Sequence, residues 1–275
     1  MTGARKLGII AGSGDLPRRL AEACVAQGRG YFIVAVRTHC DEAEVDGLDH
    51  AWVDLGSIGT TLKHLKSEAC QDVVMAGPIQ RPSWSTIKPD LRAAKLLPKL
   101  MKAKGDDALL SIIVAEFEKE GFGVVGIDDV LSGLKPSAGA LGDHQPDEQQ
   151  RADIKRGVEV ARALGALDVG QAVVVQQGFV LGVEAAEGTD ALLARCGDLR
   201  REGAGGVLVK IAKPEQERRT DLPTIGVNTV TGAADAGLAG IAVEAGGSLI
   251  VDRDAVVETA NARGLFIVGI DPETI

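Results

Sequence analysis

Acidic side chains crowd around one glycine in the stretch GVEAAEGTD. Glu184 closes an apolar run, Glu187 forms a turn with Gly188, and a predicted helix begins at Thr189-Asp190. The helix dipole stabilises the negative charge of Asp190 near a helix N-terminus, whereas it offers no such stabilisation to Glu184 and Glu187. Carboxylates that converge on one loop are usual ligands of Mg²⁺, which takes oxygen ligands and bridges phosphates. The loop therefore indicates a metal–phosphate site, with a harmless solvated loop as the alternative.

Basic side chains follow a second apolar run, GVLVKI, in the same half of the chain. Lys210 lies at the end of that run and Lys213 follows it, while Arg218 and Arg219 come just before Asp221. Cations at the end of a strand neutralise phosphate oxygens, and a nearby carboxylate orients or deprotonates a water molecule. These residues therefore favour diphosphate chemistry, although a solvated charged loop would have the same composition.

A glycine-rich turn near the N-terminus, GIIAGSGDLP, joins a predicted strand to a predicted helix. Free backbone N–H groups at the start of a helix favour an anion. Pro17 stands where a dinucleotide-binding fingerprint has its third glycine, and no acid ends the next strand to hold a ribose, so NAD is not predicted. The turn indicates either a mononucleotide contact or a tight turn that needs glycine. The expected substrate contacts here are Gly12, Ser13, Gly14 and Asp15.

A second loop, AGPIQRPSW, follows the apolar strand-like run DVVMA. Open α/β sheets bind ligands at the carboxyl ends of their strands, where Gly77 and Pro78 make a turn. Gln80 can hydrogen-bond a base or a sugar, and Arg81 can hold a phosphate through two parallel hydrogen bonds. We expect all four residues to contact the substrate, with an ordinary surface loop as the alternative.

Apolar and basic residues interleave in the segment LRAAKLLPKLMKAKG. Its apolar residues include Leu96, Leu97, Leu100 and Met101. A basic amphipathic segment can lie on an anionic membrane surface or cover acyl chains. More often such a segment packs its apolar stripe into a core and leaves a solvated basic face.

Composition and hydrophobic patterning set the fold class. The chain has 275 residues, 45% of them hydrophobic, which predicts a globular protein with a substantial core. Only 3% of its residues are aromatic and its net charge is −9, which argues against nucleic acid as a partner. Apolar strands alternate with helical patterns in the first half, which predicts a parallel, doubly wound sheet. In the second half, Gln177-Gly178 between two apolar runs predicts a hairpin.

The prediction is an α/β fold with two α/β domains. We expect a Rossmann-like N-terminal domain with a parallel sheet at residues 1–131, and a C-terminal catalytic α/β domain, with a mixed sheet and helices, at 150–275. Several glycines, two prolines and little apolar content predict an interdomain linker at 132–149. The four cysteines lack zinc spacing, and neither a signal-peptide core nor an apolar run of transmembrane length is evident, so we expect a cytoplasmic protein.

Four motifs occur together and in order: GIIAGSGDLP, MAGPIQRPSW, GVEAAEGTD and RTDLPTIGVNT. In this combination the chain resembles the LpxI-type UDP-2,3-diacylglucosamine pyrophosphatase family of lipid A biosynthesis. The resemblance extends over essentially the whole chain. The DLPTIG and EGTD elements make it specific, whereas the glycine loop alone would not suffice.

The resemblance implies an activity. Such enzymes hydrolyse their UDP-sugar lipid to UMP and 2,3-diacylglucosamine 1-phosphate (lipid X), with a divalent metal, Mg²⁺ or Mn²⁺. It also implies two domains that enclose the substrate, a homodimer, and water attack on the β-phosphorus. The aspartate of the DLPTIG element, Asp221, is implied to be catalytic. Because two acyl chains must be housed, Leu96, Leu97, Leu100 and Met101 become expected acyl contacts.

Together the resemblance and the residues give one hypothesis for the site. Asp221, Glu184 and Glu187 are the expected catalytic residues, and Glu184 with Asp221 is the expected metal-binding pair. Lys210 and Lys213 are expected to contact the diphosphate. The remaining expected substrate contacts in this half of the chain are Gly188, Thr189, Asp190, Thr224, Asn228 and Thr229.

Two alternatives remain open at this stage. One is a pyrophosphatase that uses the same chemistry on a soluble sugar nucleotide. The other is a non-hydrolytic nucleotide-sugar or lipid-binding regulatory protein, which the carboxylates disfavour because binding a diphosphate gains nothing from surplus negative charge without a metal. Peripheral contact with the inner face of the inner membrane is expected, since the lipid must be reached without a spanning helix.

Overall fold

The structure is a computed structural model that describes residues 4–79, 87–103, 105–214 and 216–275. The chain divides into two compact units, one ending at Leu131 and the other beginning at Ser132. Within the described residues, no helix is both long and apolar enough to span a bilayer. The predicted α/β class with two α/β domains is confirmed.

A five-stranded parallel sheet forms the centre of the first unit, with the strand order β3-β2-β1-β4-β5. Its strands are β1 (Leu7–Ala11), β2 (Tyr31–Val36), β3 (His50–Val53), β4 (Asp72–Ala76) and β5 (Gly123–Val124). Its helices are α1 (Leu16–Ala26), α2 (Glu42–Val45), α3 (Ile58–Ser67), α4 (Leu91–Leu100) and α5 (Asp106–Lys119).

Both faces of this sheet are buried, as a parallel sheet between helices requires. On one face, Ile9 belongs to an apolar cluster that includes Leu20 of α1. On the other face, Ile10 joins a cluster with Leu65 of α3 and Phe117 of α5. The near-continuous apolar strands and the period-3.6 helices of the sequence together produce this doubly wound arrangement.

The apolar run GVVGI, Gly123–Ile127, is typical of a strand, but only its first two residues form one in the structure. Pairing of β5 with β4 ends at Val124, and Ile127–Asp129 forms a 3₁₀ turn. The Asp129 carboxylate accepts a hydrogen bond from the Gly126 N–H at 2.8 Å, which stabilises the turn at the expense of further sheet pairing. An acid just beyond an apolar run can therefore end a strand early.

A six-stranded mixed sheet forms the second unit, with the order β6-β13-β11-β9-β7-β8, and a separate parallel pair joins β10 to β12. The strands are β6 (Gly139–Ala140), β7 (Ala172–Gln176), β8 (Phe179–Val183), β9 (Val207–Lys210), β10 (Thr224–Ile225), β11 (Gly240–Glu244), β12 (Leu249–Ile250) and β13 (Phe266–Ile270). The helices are α6 (Glu148–Gly165), α7 (Gly188–Gly197), α8 (Val227–Asp235) and α9 (Arg253–Arg263).

Strands β9, β11 and β13 run parallel, whereas β7 pairs antiparallel with both β8 and β9. One face packs against α7, α8 and α9, and α6 covers the other through Ile154, Val158 and Ala161. Strands β8 and β9 both run antiparallel to β7, so both end beside the beginning of β7. The residues that close β8 and β9 therefore lie in one region of the unit.

The segment expected to be a linker, 132–149, makes specific contacts within the second unit. The Leu134 carbonyl accepts a hydrogen bond from Ile250 N–H at 2.8 Å, and the Pro136 carbonyl accepts one from Gly246 N–H at 2.9 Å. Strand β6 then pairs with β13 at the edge of the sheet. The glycines and prolines of this segment thus shape turns along the surface of the second unit, where its polar backbone finds partners.

Candidate active site around Lys210

A buried lysine lies at the centre of the second unit's charged cluster. Lys210 ends β9, and only 7% of its surface is exposed. Its ammonium donates hydrogen bonds to Thr189 Oγ1 at 2.8 Å and to the Thr224 carbonyl at 3.0 Å. A central strand therefore places a cation beside the first turn of α7 and the short strand β10.

Burial lowers the pKa of the Lys210 ammonium below its usual value. The carboxylates of Glu184, Asp221 and Asp190 act on that pKa in the opposite direction. A buried ammonium is costly without such compensation. Three acids that the sequence singled out thus favour the charged form of one buried cation.

Glu184 is connected to this lysine through a threonine. The residue follows β8 and is only 7% exposed. Its Oε1 accepts a hydrogen bond from the Thr189 hydroxyl at 2.6 Å, and its Oε2 accepts one from Gln171 N–H at 3.2 Å. Since Lys210 donates to the same hydroxyl, Thr189 bridges carboxylate and ammonium. The stretch GVEAAEGTD therefore supplies both the acid, Glu184, and the bridge, Thr189.

Asp221 is held by a glutamine that sequence reasoning did not identify. Gln216 Nε2 donates to Asp221 Oδ2 at 2.7 Å and to Gln171 Oε1 at 3.1 Å. Its Oε1 accepts from Lys213 N–H at 2.8 Å, and 7% of the residue is exposed. Because Gln171 N–H also donates to Glu184, a continuous hydrogen-bonded chain joins the two carboxylates. A buried glutamine with both ends of its amide bonded is a rigid support.

Glu187 and Asp190 differ from Glu184 in their surroundings. The Glu187 carboxylate forms an ion pair with Arg195 at 2.8 Å and accepts from Ala185 N–H at 3.1 Å. A hydrogen bond from its own backbone N–H lowers the Glu187 pKa, and the Arg195 guanidinium lowers it further. Asp190 is exposed in the first turn of α7, where the helix dipole favours a carboxylate.

No group of three His, Cys, Asp or Glu side chains within the described ranges is arranged to hold a metal ion. A fully protein-built cage from Glu184, Glu187 and Asp221 is therefore not formed. Mg²⁺ commonly takes only one or two carboxylates and completes its shell with phosphate oxygens and water. Glu184 and Asp221, which Gln171 and Gln216 connect, offer carboxylate oxygens of that kind, and metal binding by this pair stays a prediction.

The other predicted cations carry ion pairs in the structure. Lys213 contacts Asp168 at 2.6 Å. Arg218 contacts Glu244 at 3.0 Å, and Arg219 contacts a neighbouring carboxylate of its own loop at 2.7 Å. Glu244 closes β11, is buried, and also accepts from Ala212 N–H at 2.9 Å. Glu244 was not among the predicted site residues, although it closes an apolar run just as Glu184 does.

The remaining predicted contacts of this unit lie at two helix starts. Gly188 has φ +81°, a conformation suited to glycine, and no atom would meet a Cβ there. At the start of α8, Thr229 Oγ1 accepts from Gly226 N–H at 3.4 Å, while Asn228 is exposed. Thr224 offers its carbonyl to Lys210 and is therefore part of the cluster.

In the first unit, the two predicted ligand loops touch each other at the point where the strand order reverses, between β1 and β4. Gly12 N–H donates to the Ala76 carbonyl at 2.8 Å, and Ser13 N–H donates to the Pro78 carbonyl at 3.1 Å. A Cβ on Gly12 would lie 2.4 Å from the Gly77 carbonyl oxygen. Both glycines are thus needed for close backbone approach at a topological switch point, where such sheets bind ligands.

Gly14 and Asp15 complete the first of these loops. Gly14 has φ +83°, and Asp15 precedes α1 and lies 3.7 Å from Arg19. Pro17, in the first turn of α1, removes one backbone N–H that an anion would use. Gln80 and Arg81 lie outside the described residues.

The expected acyl contacts on α4 face different ways. Leu100 is buried, Leu96 and Leu97 are partly buried, and Met101, just after the helix, is exposed. The core-packing alternative therefore describes Leu100, while acyl contact by the other three stays a prediction.

Comparison with known proteins agrees with the motifs. The LpxI N-terminal domain matches residues 6–134 and the LpxI C-terminal domain matches residues 137–268. The "UDP-2,3-diacylglucosamine pyrophosphatase LpxI" of Caulobacter vibrioides is 48% identical, over 98% of this chain and 99% of that protein.

Two solved structures show weaker likeness. CobK precorrin-6A reductase is 14% identical with a TM-score of 0.35, over 98% of this chain and 88% of its own. N5-carboxyaminoimidazole synthetase from Staphylococcus aureus is 14% identical with a TM-score of 0.23, over 67% of this chain and 41% of its own. Scores of this size support no conclusion about fold or ligand. The two domain matches and the 48% identical relative instead show that the chain belongs to the LpxI family.

Proposed function

We propose that the protein hydrolyses UDP-2,3-diacylglucosamine to UMP and 2,3-diacylglucosamine 1-phosphate. The observation that supports this most is the buried Lys210, tied through Thr189 to Glu184 and acted on by Asp221. A buried cation next to two carboxylates can hold a diphosphate and direct a water molecule at it. The 48% identical relative, named for this activity, supports the substrate assignment.

In this proposal, the residues of the cluster divide the work between them. Asp221 orients the attacking water and accepts its proton, and Lys210 neutralises charge on the diphosphate. The new bond forms between the water oxygen and the phosphorus nearest the sugar. The bond from that phosphorus to the bridging oxygen breaks, and the bridging oxygen leaves with UMP. Glu184 fixes the Lys210 ammonium through the shared threonine.

Glu184 and Asp221 are also the residues that would hold Mg²⁺ or Mn²⁺. A divalent ion bound there would supply further neutralisation of the phosphate oxygens. The catalytic role of Glu187 stays a prediction that its own substitution by glutamine tests, because its carboxylate already pairs with Arg195.

Substrate contacts and partners belong to the same proposal. The proposed contacts include the loop residues Gly12 to Asp15, Gly77 and Pro78 in the first unit. Those in the second unit are Gly188, Thr189, Asp190, Lys210, Lys213, Thr224, Asn228 and Thr229. We also propose a homodimer that works in the cytoplasm, at the inner face of the inner membrane.

The test is UMP release from UDP-2,3-diacylglucosamine in detergent, with Mg²⁺, with Mn²⁺ and with excess chelator. We expect metal-stimulated release of UMP and the lipid 1-phosphate in equal amounts. Hydrolysis of UDP-glucosamine at the same efficiency would favour the soluble sugar-nucleotide pyrophosphatase. Tight substrate binding without release under any metal would favour the non-hydrolytic binding protein, and either result would overturn the proposal.

A further inference from the structure

Helix α4 and the residue that follows it carry an apolar stripe on their solvent side. Leu91, Ala94, Pro98 and Met101 recur at spacings of three and four residues, so they lie along one face of the helix. All four are exposed, Leu91 by 88% and Met101 by 61%. An amphipathic helix of a globular domain normally turns its apolar stripe inward, so this outward stripe is unusual.

Lysines border this stripe along one side. Lys95, Lys99 and Lys102 follow the stripe at the same helical spacing, rotated by less than about a quarter turn from Leu91. All three are exposed. Together with the stripe they form one surface, here named the α4 outer face: Leu91, Ala94, Lys95, Pro98, Lys99, Met101 and Lys102.

The opposite side of α4 already has its partners. Ala93 and Leu100 are buried, and Arg92 forms ion pairs with Glu116 at 2.5 Å and with Glu120. Asp90 caps the helix by accepting from the backbone N–H groups of residues 92 and 93. The arginine and the aspartate are thus used internally, whereas the three lysines face solvent on a chain whose net charge is −9.

We propose that the α4 outer face binds the surface of an anionic lipid bilayer. A helix with an apolar stripe and a row of lysines lies in the interface, with its apolar side chains among the acyl boundary and its lysines among anionic headgroups. The inference extends the proposed function, because a substrate with two acyl chains is a bilayer component. It rests on the exposure and the charge of α4.

A second copy of this chain fits the face less well. Two such faces packed symmetrically would bring the lysine rows of both copies together, and like charges at close range repel. An anionic bilayer offers hydrocarbon and negative charge in the same plane, which matches both halves of the surface.

The experiment is co-sedimentation of the protein with vesicles of phosphatidylcholine alone and of phosphatidylcholine with phosphatidylglycerol. We expect the wild type to bind the anionic vesicles at least tenfold more strongly. Lys95→Glu/Lys99→Glu should lower that binding tenfold or more, and Leu91→Gln/Met101→Gln should also weaken it. The matched control is Arg151→Glu/Lys155→Glu, the same charge change on the exposed side of α6, which should bind as the wild type does.

Thermal melting of each variant confirms that it folds. Equal binding of both vesicle types would overturn the proposal, because anionic headgroups would then contribute nothing. An equal loss of binding in the α6 control would also overturn it, because the net charge of the protein, and not the α4 outer face, would then determine binding. Self-association on sedimentation velocity, abolished by Leu91→Gln/Met101→Gln and without vesicle binding, would assign the face to a second copy instead. Vesicle binding is measured without substrate, and UMP release is measured in detergent without vesicles. Either assay can therefore fail while the other succeeds, which separates this proposal from the proposed function.

Discussion

Replacing Thr189 with valine removes a single hydroxyl and keeps the shape of the side chain. That hydroxyl donates to Glu184 Oε1 at 2.6 Å and accepts from Lys210 Nζ at 2.8 Å. Hydrogen bonds to charged groups contribute roughly 1.5–3 kcal/mol each. Glu184 keeps its bond from Gln171, and Lys210 keeps the Thr224 carbonyl, so we expect a net destabilisation of about 2–4 kcal/mol, within the range for broken buried networks.

The same change should also slow the reaction. A Lys210 ammonium that loses one of its two hydrogen bonds is less well fixed towards the diphosphate. Loss of one charge-assisted bond, roughly 1.5–3 kcal/mol, corresponds to about a 10- to 150-fold fall in kcat/KM. The assays are thermal unfolding and UMP release at several substrate concentrations, each compared with Thr189→Ser, which retains the hydroxyl.

We expect Thr189→Ser to stay within a few-fold of the wild type in kcat/KM and close to it in melting temperature. Equal stability and equal activity of the valine and serine variants would refute the bridge, because the hydroxyl would then stabilise neither the Glu184 carboxylate nor the Lys210 ammonium. A loss of stability without any loss of activity would leave the bridge structural and remove it from the proposed mechanism.

Three further substitutions test other contacts. Gln216→Leu should lower kcat by tenfold or more while KM changes little, because Asp221 loses the donor that orients it; a folded Gln216→Leu with an unchanged kcat would contradict this role. Glu120→Gln should make the fall in melting temperature between pH 4.5 and pH 2 smaller than in the wild type, because hydrogen bonds from Lys66 and Arg92 hold the Glu120 pKa at about 2 and their stabilisation is lost as pH falls through this window; an unchanged fall would contradict this. Gly12→Ala should lower stability by about 1–3 kcal/mol through overpacking, because its Cβ would meet the Gly77 carbonyl at 2.4 Å, and an unchanged melting curve would contradict the geometry.

Strongly apolar strands were predictable from the sequence, because a strand that is buried on both faces consists of a nearly continuous run of apolar residues. The dense runs YFIVAV and DVVMA form the strands Tyr31–Val36 and Asp72–Ala76 over their whole length. The strand His50–Val53 and the helix Glu42–Val45 were missed, since four residues with polar members give neither a run nor a period. The strand β3 forms because it pairs with β2, and such pairing is a tertiary contact that the local sequence does not specify.

The site was predictable only where the chemistry is local. Glu184, Thr189 and Lys210 come from two motifs, and the structure brings them together. Gln171 and Gln216 were missed because an isolated glutamine carries no motif, and their importance comes from long-range bonds. The two glutamines can be recognised as part of the site only when the end of β9 lies beside the beginning of β7. The sequence alone does not specify that pairing.

The most direct test of the proposed chemistry is turnover of UDP-2,3-diacylglucosamine by Asp221→Asn, followed by phosphorus NMR at saturating substrate with Mg²⁺ present. Asparagine keeps the size of the side chain and an oxygen that can accept from Gln216, so the fold should persist. We expect the wild type to form UMP and the lipid 1-phosphate, and the variant to lose at least a hundredfold in rate. A folded Asp221→Asn that turns over at near the wild-type rate would contradict the assignment of Asp221 as the residue that activates water.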